Sequence, residues 1–445
     1  MVRAALDDVT DELGVHDAAA RPAPLTTYYT ATVGGQPLRP ALDTHIGADV
    51  CIVGAGFAGL ATALGLLDRG VEGVVILEAE QVGFGASGRN GGFVFGGYSL
   101  ACADLLQQLG PAPARALYGL TRQAVELIRQ RIARHAIACD VTEGGALLVN
   151  WFDDDSILRR QQRLMADNFD AQWRFIERTE LRAMVDSDRY SGALLESDAF
   201  HFHPLKYALG EARAIEARGG KIFERSRVTA IDFQAGEALI RTQHGSVRAR
   251  HVVVAGGGYL RGVMPALERA ILPIATYVMV TEPLGEALQR LIPSHAAIYD
   301  TRFAFDYYRV LPDTRLLWGG RISVRDRDPA DIARFLKRDM VRIFPALRDA
   351  KVDHAWGGMM SYARHKMPQI GRLPSGVWHG LGFGGHGVAP TTAAGEVLAE
   401  AIAHGTPMPT GFDRYGLPRT FRPLGLAAAQ ATYAWRQVQD GLRAL

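Results

Sequence analysis

Gly54-Ala55-Gly56-Phe57-Ala58-Gly59 sets three glycines at the spacing GxGxxG, and a carboxylate, Glu78, followed by Ala79, comes about twenty residues later. The first glycine permits a tight turn from strand to helix, the second lets a pyrophosphate approach the backbone, and the third lets helix and strand pack closely. Free amides and the helix dipole then hold phosphate oxygens. A carboxylate at position 78 accepts hydrogen bonds from a ribose diol and repels a 2′-phosphate, which argues against NADP. A second run, GFGASGRNGG over residues 83–92, has glycine at half its positions and loses much backbone freedom on ordering. An NAD site needs no such segment after the acidic residue. A flavin dinucleotide does: Ser87 can bond a phosphate, while Gly88, Gly91 and Gly92 clear space for the ribityl chain and ring.

The elements that must hold these loops surround them. Residues 50–53 are a short apolar run, as expected of a strand buried on both faces. Residues 58–67 have helical spacing and stop at Gly70, and residues 74–77 read as a second buried strand. Together they make a βαβ unit of about thirty residues. Helices are expected over 101–137 and 157–167, with a strand in GGALLVNW between them, and another helix starting at Pro204. KIFE, RVTAIDF, ALIRTQ and RHVVVAGGG read as strands. Between 270 and 321, TYVMVTE, FAFDYYRVL and RLLWGG imply an antiparallel sheet with one face covered. Near the end, GFGGHGVAPTT opens a further helix.

This order reads as α/β, α+β overall. A Rossmann-like dinucleotide-binding domain of residues 46–100, 201–265 and 351–425 is interleaved with an antiparallel-sheet substrate domain of residues 101–200 and 266–350. Residues 1–45 read as an arm with little regular structure, and 426–445 as a C-terminal helix.

At 445 residues the chain exceeds what one core usually fills, consistent with two domains. A net charge of +2 gives no footprint for nucleic acid or an anionic membrane surface. Cys51, Cys102 and Cys139 form no CxxC pair, which argues against a disulfide framework and a cysteine zinc site. The acidic N-terminus lacks a signal-peptide core and no apolar run spans a bilayer, so a cytoplasmic protein is expected. His201-x-His203 lacks a clear third ligand, and no metal is expected.

VGAGFAGL, LEAE and GFGASGRNGG together resemble the glycine-oxidase, sarcosine-oxidase and D-amino-acid-oxidase group of FAD enzymes. More narrowly, GFGASGRNGG, HPLKYALG, VVVAGGGYL, DYYRVLPDTRLLWGG, MPQIGRLP and GHGV are similar to gamma-glutamylputrescine oxidoreductases, over about residues 27–440. The resemblance implies a D-amino-acid-oxidase-like fold in which an antiparallel sheet roofs the flavin. Gly54, Ala55, Gly56, Phe57, Ala58, Gly59, Glu78 and Ala79 would hold the adenosine diphosphate. Gly85, Ala86, Ser87, Gly88, Arg89, Asn90, Gly91 and Gly92 would follow the pyrophosphate and ring. Val228 would meet the adenine, Ala255, Gly256 and Gly257 would pass beside the cofactor, and Gly384, Gly385, His386, Gly387 and Val388 would face the pyrimidine edge. No cysteine stands in HAWGGMMSYARHKMPQIG and no histidine follows GASG, so FAD is expected to be non-covalent. Leu317 falls where sarcosine oxidases carry an oxygen-activating lysine, which leaves either O2 or another electron acceptor open.

The implied reaction is oxidation of an amine C–N bond: hydride passes to the flavin and the imine is hydrolysed, with H2O2 formed if O2 is the acceptor. Pocket candidates are Phe303, Phe305, Tyr307, Tyr308 and Trp318 on the roof; alternation allows only one of the two tyrosines to meet substrate. Arg309 reads as a bidentate fork for a substrate carboxylate or, equally, as a structural ion pair. His386 reads as a residue that positions backbone more than as an acid–base catalyst, and Lys366 as a group that can approach the flavin face. A gamma-glutamylputrescine-like primary amine is the leading substrate class. The alternatives are a secondary-amine or N-methyl amino acid oxidase or dehydrogenase, and a flavoprotein subunit of a hetero-oligomeric dehydrogenase.

Overall fold

The computed structural model describes residues 26–35, 38–234, 236–324 and 327–443. Strand His45–Val53 is buried from Val50 onward because parallel neighbours flank it on both edges. Val50 pairs with Val74 of strand Val74–Leu77 and with His251 of strand Ser246–Val254. Lys221–Phe223 extends the sheet on one side; Glu237–Arg241 and Ala230–Gln234 extend it on the other. Trp378–Leu381 joins in parallel at Val253 and Val254.

Helix Phe57–Asp68 is buried from Phe57 to Leu67, since the sheet covers one side and helices Val388–His404 and Pro204–Ala217 cover the rest. A Cβ on Gly395 would lie 2.6 Å from the Ala61 Cβ. The two long apolar helices therefore cross at the separation that only glycine allows. Their contact fixes both helix N-termini against the same sheet.

The second sheet runs in the order Val352–Ala363, Ile271–Thr281, Leu316–Ser323, Tyr307–Val310, Ala297–Asp300, Ala146–Val149, Gly192–Glu196, Arg174–Glu177. It is antiparallel except where Ala297–Asp300 lies parallel to Ala146–Val149, the seam between its two chain segments. A small third sheet of Phe93–Val94, Phe200–His201 and Thr142–Glu143 connects the two.

Three boundaries differ from the sequence reading. Strand Val352–Ala363 belongs to the roof, paired with Ile271–Thr281 along its length, although residues from 351 were assigned to the dinucleotide domain. Gly357, Gly358 and the apolar MM pair hide its alternation. Helices Cys102–Leu109 and Pro111–Arg134 share the core of helix Phe57–Asp68 through Leu117, Tyr118, Val125 and Ile128, although the sequence reading places residues 101–200 wholly in the substrate domain. Within the arm, Thr27 caps a helical turn, Tyr28–Thr32, and Tyr29 is fully buried with its hydroxyl donating to the Asn90 carbonyl at 2.8 Å. Residues 1–25 lie outside the described part.

Candidate active site

A cavity of about 1910 Å³ starts at Glu78 and the first glycine loop, passes residues 84–91 and ends under the second sheet. Ordinary small-molecule sites enclose roughly 300–1,000 Å³, so a dinucleotide fits here together with a second molecule.

The first end is built as a cradle. Gly54 has φ +109°, and a Cβ there would sit 2.8 Å from the Ala255 carbonyl oxygen; glycine alone fits. Gly56 is the N-cap of helix Phe57–Asp68 and provides no side-chain cap, leaving the first-turn amides after Phe57 and the helix dipole for phosphate. Glu78 accepts from the Ala55 amide at 2.8 Å and the Glu80 amide at 2.9 Å. Burial raises its pKa while those two amides oppose the rise. Ser87 Oγ accepts from the Phe57 amide at 2.9 Å, tying the second glycine run to the first helix. Asn90 shapes that run: its Nδ2 donates to the Ala86 and Ser87 carbonyls and its Oδ1 accepts from the Gly92 amide. Arg89 braces the run by donating to Phe84 and Gly357 carbonyls. Val228, Ala79, Ala255, Gly256 and Gly257 line the same stretch, with Gly85, Ala86, Arg89, Asn90 and Gly91. These residues fit a flavin dinucleotide: a carboxylate at the end of a strand, a helix with no side-chain cap at its N-cap residue and bare backbone in sequence along one cleft.

Ala55, Gly59, Gly88 and Gly92 do not face the cavity. A Cβ on Gly88 would lie 2.3 Å from the Gly83 carbonyl oxygen, and one on Gly92 would lie 2.1 Å from that of Phe202. These two glycines let the loop fold onto its own backbone and onto a neighbouring segment; the expectation that they clear space for the ring is corrected.

At the far end Gly384, Gly385, His386, Gly387 and Val388 line the wall. Helix Val388–His404 starts there with no side-chain cap, and its positive dipole end suits negative charge on a reduced ring. Ser99 Oγ accepts from the His386 amide at 3.2 Å. The His386 imidazole packs edge-on to Phe95 at 4.3 Å, and burial lowers its pKa to about 4. It is therefore neutral at physiological pH and no cationic acid.

The roof resolves the two tyrosines. Tyr307 faces the cavity, its ring filling the space over Gly319 and Gly91, where added Cβ atoms would lie 2.0 and 2.6 Å from it. Tyr308 stacks on Trp318 at 4.4 Å and 1°, and both are fully buried in the core behind the sheet. They are removed from the substrate wall because register pairs 308 with 318 and 307 with Gly319. Arg309 is 1% exposed and also lies outside the cavity. Its guanidinium donates to the Gly91 and Phe202 carbonyls, so neither sequence reading, substrate fork or ion pair, holds. Phe303 and Phe305, each 41% exposed, stand at the mouth with Lys366. His203 accepts from the Lys206 amide as a helix cap, and His201 Nε2 bonds the His295 carbonyl.

Sequence reasoning missed Phe95, Tyr299, Glu196, Tyr118 and one face of helix Leu424–Arg443, all on the cavity. Phe95 stacks on Tyr299 at 5.4 Å and 12°. Its place two residues after Phe93 on an alternating segment was a usable signal. Ala428, Thr432, Tyr433 and Arg436 of the C-terminal helix close the far side, and Asp440 holds the helix there by accepting from the Phe303 and Ala304 amides. Only tertiary packing brings that helix to the site.

Residues 49–401 match the family described as DAO, FAD dependent oxidoreductase. The chain is 38% identical over 379 residues to gamma-glutamylputrescine oxidoreductase of Escherichia coli (strain K12), covering 85% of this chain and 88% of that one. It is 33% identical to a probable oxidoreductase, OrdL, of Haemophilus influenzae, covering 80% and 83%. Glycine oxidase from Geobacillus kaustophilus superposes with a TM-score of 0.70 at 19% identity, over 84% of this chain and 99% of that one. No helix among the described residues is long and apolar enough to cross a membrane.

Proposed function

Because the chain belongs to the DAO family of FAD-dependent oxidoreductases, we propose that its cavity oxidises the terminal amino group of an aliphatic amine carrying a distant carboxylate, as in gamma-glutamylputrescine. One observation carries this reading: the glycine cradle opens without interruption into an aromatic chamber of Phe95, Tyr299 and Tyr307 whose mouth bears Lys366 and Arg436. When bound, FAD supplies the hydride acceptor. The chain's own residues desolvate and orient the amine. An amine gives up hydride only in its neutral form, so the bound amine sheds its proton before that step, and helix Leu424–Arg443 shields the chamber from water.

Lys366 Nζ and Arg436 Cζ lie 5.6 and 5.7 Å from the Phe303 ring centre, and neither has a carboxylate within ion-pair reach among the described residues. The pair suits the carboxylate of an extended substrate. Under anaerobic conditions gamma-glutamylputrescine is expected to bleach the yellow protein. The double variant Lys366→Met, Arg436→Met should raise its KM by about tenfold, the range of a charged hydrogen bond, with little change for 1,4-diaminobutane. Bleaching by N-methyl amino acids alone would move the substrate class to secondary amines. No bleaching by any amine would overturn the activity. Readmitted air then reports whether O2 accepts the electrons.

FAD is held without a covalent bond in this reading. Of the side chains able to form one, Cys102 is a half-buried thiol whose pKa desolvation pushes up to about 12, and His386 is held by backbone. Acid precipitation is expected to leave a white pellet and yellow supernatant; retained colour would contradict it.

A further inference from the structure

Glu196 ends the strand Gly192–Glu196 on the cavity wall and is 7% exposed. Its Oε2 has no hydrogen-bond partner, and no cation reaches ion-pair distance among the described residues. The Tyr118 hydroxyl, on helix Pro111–Arg134, is likewise buried, unpartnered and on the cavity. The two meet at Gly96: its amide bonds the Glu196 carboxyl, and a Cβ on it would lie 3.3 Å from the Tyr118 hydroxyl. Buried polar atoms are rarely left without partners, and two together on one cavity wall mark a place for a ligand that donates hydrogen bonds. The stacked pair Phe95 and Tyr299 stands beside them, and aromatic faces attract cations.

Resting on the reading of this chamber as an amine site, we infer that Glu196 and Tyr118 seat an ammonium group of the substrate, the carboxylate by ion pair and the hydroxyl by hydrogen bond. The class of ligand is an alkylammonium. Without it the carboxyl keeps its proton, for burial pushes its pKa up to about 8. The groups facing it do not supply the missing charge. Tyr118, Tyr299 and Cys102 are held uncharged by burial, while Arg122 is engaged with Asp198 and the Asp170 carbonyl. An arriving cation must displace the carboxyl proton, so binding tightens as pH rises toward 8 and releases a proton at pH 7.

Calorimetric titration of the FAD-loaded full chain with n-butylamine, a cation at pH 7, and with 1-pentanol, a neutral alcohol one carbon longer, tests this. Wild type should bind butylammonium about ten- to a hundredfold more tightly than Glu196→Gln, with about one proton released to buffer in wild type and none in the variant. Pentanol should bind both alike. Equal butylammonium affinities, equal proton counts, or no binding to wild type would overturn the inference. If Glu196→Gln fails to hold FAD, Tyr118→Phe serves instead: a loss of about threefold or more supports the site, and unchanged affinity overturns it. Binding that depends on Glu196 in a protein no amine bleaches would refute the proposed activity alone. Bleaching without that dependence would refute the subsite alone.

Discussion

Gly59→Ala is expected to give colourless protein. The added Cβ would lie 2.0 Å from the Gly54 carbonyl oxygen and 3.3 Å from Ile52, and neither the turn nor the strand beneath it can yield without moving the cradle. Overpacking of a tight core commonly costs about 1–3 kcal/mol, and a contact this short with backbone belongs at the upper end. Since each 1.4 kcal/mol is a factor of about ten, FAD affinity should fall by about a hundredfold or more. Gly47→Ala is the control: it lies on the same strand with nothing within 4 Å of its Cβ position and should retain full colour. The ratio of flavin to protein absorbance after purification, and FAD titration of the apoprotein, measure both. A fully yellow Gly59→Ala would show that the loop does not bind as built.

The cradle was legible because it is local. GxGxxG, the flanking buried strands and Glu78 lie in one βαβ unit, and the turn's demand for glycine follows from its own backbone. The roof was legible only by halves. Alternation put Tyr307 and Tyr308 on opposite faces but could not say which face was open. Register decides it, by setting Gly319 against Tyr307 and Trp318 against Tyr308. A glycine across from an aromatic side chain marks the face where the ring lies over the sheet. The C-terminal helix was legible but its place on the cavity was not, nor was that of Glu196, since each reaches the cavity through contacts far apart in sequence. Gly88 and Gly92 show the opposite limit: the need for glycine was read correctly, but the neighbour that imposes it is protein backbone.

Arg309 carries the second large effect, and its setting predicts a loss of structure more than a loss of affinity for substrate. Its Nε donates to the Gly91 carbonyl at 2.6 Å, and its Nη2 to the Phe202 carbonyl at 2.9 Å and the Tyr29 hydroxyl at 3.4 Å. Its Nη1 lies 3.2 Å from His201 Nδ1. Burial, with the nearby Arg309 charge, lowers the His201 pKa to about 3. The imidazole is thus neutral, and with Nε2 facing the His295 carbonyl its proton belongs on Nε2, which leaves Nδ1 to accept from Arg309. One side chain therefore joins the roof strand, the second glycine run, the Phe202 segment and the arm. Arg309→Leu would leave those buried acceptors unpaired, each costing about 1–3 kcal/mol, while relieving the burial of a charge. A net loss of about 3–5 kcal/mol in unfolding free energy is expected, with FAD released at lower denaturant than in wild type because Gly91 loses its anchor. Arg309→Lys should recover little, as an ammonium cannot span the same fork of acceptors. Unchanged stability and flavin retention, with KM alone raised for carboxylated amines, would return Arg309 to the substrate site.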